Sequence, residues 1–109
     1  MDPNRKEFVV WQWNCRGLGK KRAAFQQHVT ATQLKPDVIL LQETAGLQAS
    51  LPGYSDVPAP APRGREVTTL VRKGLAAVRH DIRGINVDHL LIKIMSQRHR
   101  KDHIFILNL

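Results

Sequence analysis

Two short apolar runs each end in a polar residue able to hold a cation. Phe8-Val9-Val10-Trp11-Gln12-Trp13 leads into Asn14, and Val38-Ile39-Leu40-Leu41 leads into Gln42-Glu43. If the runs are neighbouring parallel strands, Asn14 and Glu43 stand side by side at their carboxyl ends, where the ligand crevices of open α/β sheets lie. A carboxylate beside a carboxamide suits a hard cation such as Mg²⁺, which takes few protein oxygens and keeps its waters and substrate phosphates. The alternative is a solvated loop acid and a turn residue, and the two residues alone leave both readings open. Cys15 lies next to Asn14 with no sequence-local base to activate it, so a small packed residue is expected there and not a nucleophile. Arg16, Lys20, Lys21 and Arg22 crowd the same segment, as nucleic-acid backbone contacts or as a solvated turn and helix start. Tyr54 offers either a ring to stack on a base or an anchor for its loop. His99 and His103 have a spacing used in zinc sites, but no cysteine pair accompanies them and Arg100-Lys101 lies between. A basic surface turn is expected there.

The elements that must position these residues follow from local pattern. Phe8 to Asn14 is rich in β-branched and aromatic residues and reads as a strand, ended by Gly17 and Gly19. From Lys20 to Leu34, Phe25, Val29 and Thr32 recur at four- and three-residue spacing, which predicts an amphipathic helix. Lys35-Pro36-Asp37 stops it, because the residue before a proline is pushed out of helical geometry. Val38 to Leu41 is apolar without alternation, as in a strand covered on both faces. Strand, helix and strand make a βαβ unit with the strands parallel. Residues 52–65 hold Pro52, Pro58, Pro60 and Pro62 and read as a proline-rich loop inside one domain. Val67 to Arg72, Leu75 to Ile82, His89 to Met95 and His103 to Leu109 then read as a mostly antiparallel run. Lys73-Gly74 is expected to join the first two as a tight hairpin.

Composition narrows the classes of function. Lys and Arg total 17 against nine Asp and Glu, a net charge of +8. Residues 1–50 carry seven basic and four acidic groups and residues 51–109 carry ten and five, so the excess is spread and is not a basic tail. That balance favours a polyanion such as nucleic acid. The single cysteine excludes an internal disulfide and hence a disulfide-built scaffold, and no disulfide-linked partner is expected. No unbroken apolar run exceeds four residues, far short of a membrane span, and Asp2, Arg5, Lys6 and Glu7 break up the N-terminus where a signal peptide would be. An intracellular chain with no membrane partner is expected.

The ordered series Trp13-Asn14-Cys15-Arg16-Gly17-Leu18, a helix, then Pro36-Asp37-Val38-Ile39-Leu40-Leu41-Gln42-Glu43-Thr44 resembles the opening of the endonuclease/exonuclease/phosphatase superfamily. The Asn-Cys-Arg-Gly-Leu form is most similar to the endonuclease domains of non-LTR retrotransposons. Leu51-Pro52-Gly53-Tyr54, Thr69 to Leu75 and Ile106 to Leu109 look like later landmarks, so the resemblance runs from Phe8 to Leu109. It implies an α/β (α+β) fold, the N-terminal portion of a four-layer α/β/β/α sandwich of the DNase I-like type, with residues 1–109 as a partial domain whose C-terminal half is absent. It also implies Mg²⁺- or Mn²⁺-dependent cleavage of DNA phosphodiesters, DNA as partner, and a nuclear location if the chain is part of a retrotransposon protein. Glu43 matches the family's metal-binding glutamate, and Asn14 the asparagine that helps hold the metal and the scissile phosphate. Arg16 stands where abasic-site enzymes have an aspartate, which sets this chain apart from them. The family's later tyrosine, Asp-x-Asn segment and Asp-His pair would lie beyond Leu109, so the chain alone is expected to be inactive. Two other readings are a non-catalytic basic nucleic-acid-binding remnant and a phosphatase or RNA-processing member of the same superfamily. The apolar Ile104 to Leu109 strand, read as an unpaired edge, is expected to promote self-association.

Overall fold

A computed structural model describes residues 8–16, 19, 21–44, 50–58, 67–80, 90–95 and 103–108. The elements in chain order are β1 (Val10–Asn14), α1 (Arg22–Ala31), β2 (Val38–Gln42), β3 (Tyr54–Pro58), β4 (Val67–Arg72), β5 (Ala76–His80), β6 (Leu90–Met95) and β7 (His103–Asn108). Four strands form one sheet in the order β1-β2-β4-β3, and three form a second in the order β5-β6-β7. The opening βαβ unit is as expected: β1 and β2 are adjacent and parallel, with Val10 opposite Val38 and Asn14 opposite Gln42. Every other strand pair is antiparallel.

Period-two alternation assigns the faces. Trp11, Trp13, Ile39, Leu41 and Leu70 face α1, where Phe25 and Val29 close a core with Cys15, Leu51 and Tyr54. The opposite face of the first sheet turns Val38, Val67 and Val71 onto Leu90, Ile92, Ile94 and Ile106 of the second sheet. The described residues therefore form three layers: helix, sheet, sheet. β2 is buried on both sides, as its unbroken apolar run requires.

The helix is shorter than the sequence pattern suggests. It lacks a side-chain cap at Lys21 and an acidic residue in its first turn, so nothing supports a start ahead of Arg22. At the other end Thr32 turns extended, and the Lys35 ammonium donates to the carbonyls of Val29, Thr30 and Thr32 at 3.0, 3.0 and 3.2 Å. A cation on the last carbonyls satisfies orphan acceptors and opposes the helix dipole.

Two expectations are corrected. Residues Tyr54–Pro58, read as part of a proline-rich loop, form edge strand β3 on β4, with Tyr54 opposite Arg72. A type II turn launches it: Tyr54 N–H donates to Leu51 O at 3.1 Å, with Pro52 and Gly53 (φ 87°) at the two central positions. Pro58 is tolerated because it ends an edge strand; the remaining prolines of that segment lie outside the described residues. Lys73-Gly74 is a turn but not a hairpin, since β4 and β5 belong to different sheets. Leu75 N–H closes the turn on Arg72 O at 3.2 Å. Gly74 has φ 100° and Lys73 is not left-handed, which is the type II pattern. Such a turn splays the strands it joins, where a two-residue hairpin needs I′ or II′ geometry.

Candidate metal and phosphate site

Parallel pairing brings the ends of β1 and β2 together. Asn14 stands opposite Gln42, and the Cys15 N–H donates to Gln42 O at 2.8 Å, extending the ladder one residue past the strand. The chain then turns sharply on both sides. Glu43 has φ 53° and Arg16 has φ 48°, the left-handed non-glycine residues among those described. Such residues cost on the order of 1 kcal/mol and persist where the surroundings hold them. Arg16 N–H donates to Asn14 Oδ1 at 3.3 Å, an Asx-type turn that fixes the carboxamide beside its own loop. Asn14, Arg16 and Glu43 are all exposed.

The basic residues flank this corner unequally. The Lys21 ammonium donates to Cys15 O at 3.0 Å, tying the start of α1 to the end of β1. Arg22 opens the helix and is exposed. Lys20, assigned with them in the sequence, lies outside the described residues. Cys15 is fully buried. Burial pushes its thiol up from the ordinary value of 9.0; the Lys21 ammonium works against that rise and the Glu43 carboxylate adds to it. A buried neutral thiol is a packing residue, as the sequence suggested, and its electrostatic coupling puts Lys21 and Glu43 in the same neighbourhood.

Tyr54 is corrected. It is 8% exposed and its hydroxyl donates to Pro36 O at 2.7 Å. Its register opposite Arg72, beyond the Val38 end of β2, places it about 20 Å along the sheet from Glu43 at 3.3 Å per residue. It anchors the helix-side core and is not available to stack on a base. His103, in β7, pairs with Met95 of β6, and His99 lies outside the described residues. A cleft of about 580 Å³ between β1 and α1 is lined by Trp11, Trp13, Phe25 and His28 among others and includes neither Asn14 nor Glu43.

Beneath the corner lies a polar cluster that the sequence reading did not assign. Gln42 Nε2 donates to Asn108 Oδ1 at 2.7 Å. Asn108 Nδ2 in turn faces Thr68 O at 2.9 Å, Thr69 Oγ1 at 3.2 Å and Leu41 O at 3.3 Å. Gln12 Nε2 completes it with a long contact to Gln42 Oε1 at 3.4 Å. Among the described residues no buried side-chain nitrogen or oxygen lacks a partner. The signal for this cluster was present: Gln42 follows Val38 and Leu40 at period two, and Asn108 follows Ile104 and Ile106. Each is a polar residue on a face that is otherwise apolar.

The donor set fits a hard cation. One carboxylate and one carboxamide oxygen leave most of an octahedral shell to water and phosphate, the habit of Mg²⁺. Among the described residues no group of three or more His, Cys, Asp or Glu gathers that would hold a more fully protein-ligated ion.

No protein-family model matches the chain, and no curated protein matches its sequence. Among solved structures the chain is similar to the endonuclease domain of TRAS1, a telomere-specific non-LTR retrotransposon, with a TM-score of 0.61 at 15% identity. The match covers 93% of this chain and 44% of that one, so the chain spans less than half the length of that structure. At this identity the likeness is one of fold: a mixed α/β chain dominated by its sheets, built like part of an endonuclease domain.

Proposed function

We propose that this chain supplies the metal- and phosphate-holding corner of a nuclease-like domain that cleaves DNA phosphodiesters, within a four-layer sandwich of the DNase I-like type. The observation that supports this reading is the parallel β1–β2 pair, which ends Asn14 and Gln42 in register with the exposed, left-handed Glu43 next in the chain. Glu43 and Asn14 would hold a Mg²⁺ or Mn²⁺ ion. Such an ion, when bound, neutralises charge on phosphoryl oxygens and lowers the pKa of a water attacking them. The protein's own part is positional: Glu43 gives the anionic ligand, Asn14 orients on ion and phosphate, and Arg16, Lys21 and Arg22 attract the backbone of the polyanion. The overall charge of +8 strengthens that attraction. A water-activating base is not among the residues grouped here, so the chain alone binds and does not turn over.

Mn²⁺ titration followed by electron paramagnetic resonance tests this, alongside a supercoiled-plasmid nicking assay with Mg²⁺ or chelator. The expected result is one Mn²⁺ bound by the wild-type chain, at least about tenfold weaker binding in Glu43→Ala (a loss of 1.4 kcal/mol or more), and no Mg²⁺-dependent nicking by either. Equal Mn²⁺ affinity in the two proteins would refute the site. Mg²⁺-dependent turnover that Glu43→Ala abolishes would refute the inactivity of the chain. DNA binding indifferent to both Mn²⁺ and Glu43 would favour the non-catalytic basic module instead.

A further inference from the structure

We infer that Asn108, acting through Gln42, is a positioning residue that sets the geometry of the Asn14–Glu43 corner. The functional part of this inference rests on the metal-holding reading above. Gln42 is the hub of the corner: its backbone faces Asn14 across the ladder, its carbonyl receives the Cys15 N–H, and its chain neighbour is the left-handed Glu43. Its side chain is 7% exposed and is held from the second sheet by Asn108, which is 1% exposed. The Asn108 carboxamide is fully committed. Its oxygen accepts from Gln42, and its two N–H groups serve the three oxygens of Leu41, Thr68 and Thr69.

This wiring makes one amide bridge β7 to both β2 and β4 at the level where β2 ends. The amide's orientation is dictated, because reversing it would set the Asn108 oxygen against two backbone carbonyls and a threonine oxygen. Buried amide networks of this kind are stiff, since each member left unpaired costs about 1–3 kcal/mol. The stiffness is delivered to Leu41 and Gln42, the two residues that precede Glu43. A left-handed glutamate whose side chain makes no capping bond among the described residues needs such a fixed approach. Asn108 thus does for a ligand on another sheet what an outer-shell partner does for a metal-binding histidine, with an effect on metal affinity on the order of 10-fold or more.

The test uses Asn108→Leu and Gln42→Met, with Asp37→Ala as the control. Asp37 lies at the other end of the first sheet and outside this network, so its variant loses stability without touching the corner. Two quantities are read: Mn²⁺ affinity, and the Glu43 and Arg16 Cα and Cβ chemical shifts, which report left-handed geometry without any metal. Both network variants are expected to move the Glu43 shifts toward extended values and to weaken Mn²⁺ binding about 10-fold. Asp37→Ala is expected to leave both unchanged. If Asn108→Leu does not fold, Gln42→Met reads the same link. Wild-type Glu43 shifts and wild-type Mn²⁺ affinity in a folded network variant would overturn the inference. A Glu43 shift that responds to Asn108 while Glu43→Ala leaves Mn²⁺ binding intact would instead overturn the metal reading and leave the positioning role standing.

Discussion

The Cys15 side chain is shut away from solvent while its backbone N–H extends the β1–β2 ladder. Its thiol is raised by burial first, so the folded chain holds that proton to higher pH than the unfolded chain does. As pH rises past about 9, the unfolded thiol ionises and the folded one does not. The stability this contributes is complete below the ordinary value and is lost on rising through the folded one, by at most about 1.4 kcal/mol per pH unit. Urea midpoints at pH 8 and pH 10 check this: the wild-type chain should lose more stability across that interval than Cys15→Ala. A gap between the two proteins that does not change with pH would contradict it. At this scale the sequence was informative where a residue type ended a strand, as with Asn14 and Glu43. It marked Gln42 and Asn108 as polar residues on apolar faces but could not pair them, because they lie 66 residues apart in the chain, and it marked a break at Gly17 without placing left-handed residues at Arg16 and Glu43.

Among the elements, the far end of the first sheet is closed by one carboxylate. Asp37, 3% exposed, accepts from Val9 N–H at 2.9 Å and from Arg72 Nε at 2.9 Å, joining the lead of β1, the start of β2 and the end of β4. Removing it takes a carboxylate acceptor from a partly buried guanidinium and an amide, and Asp37→Ala is expected to cost about 2–3 kcal/mol. Urea unfolding monitored by Trp11 and Trp13 fluorescence measures it, and a loss under 0.5 kcal/mol, the scale of an ordinary surface change, would contradict the assignment. β1, β2, β4, β6 and β7 were legible because their apolar patterns are strong. β3 was hidden because Asp56 and Pro58 weaken its strand pattern, and only the ladder on β4 decides its state. The Lys73-Gly74 turn was legible as a turn. Its partner sheet was not, because a glycine at that position marks a reversal in either setting.

Across the whole molecule the chain makes a slab of 38 × 35 × 16 Å with a radius of gyration of 14.0 Å, against about 13 Å for a compact domain of this length. The helix covers one face of the first sheet and the second sheet covers the other. The outer face of the second sheet carries Phe105 (58% exposed), Val78 (47%) and Leu107 (43%), with His80 edge-on to Phe105 at 5.8 Å. β7 is an edge of that sheet, and an apolar edge with little charge invites pairing. Sedimentation velocity is expected to show mass rising with concentration in the wild-type chain and a smaller rise in Phe105→Lys. A monomer at every concentration would show that the net charge alone keeps the face apart.

If Asn14 and Glu43 form one cation corner, paramagnetic broadening in ¹H–¹⁵N spectra at substoichiometric Mn²⁺ locates it. The amides of Asn14, Cys15, Arg16, Gln42, Glu43 and Thr44 are expected to broaden first and together, and Glu43→Ala is expected to remove the effect. Broadening centred on another part of the chain, or uniform weak broadening with no centre, would contradict it.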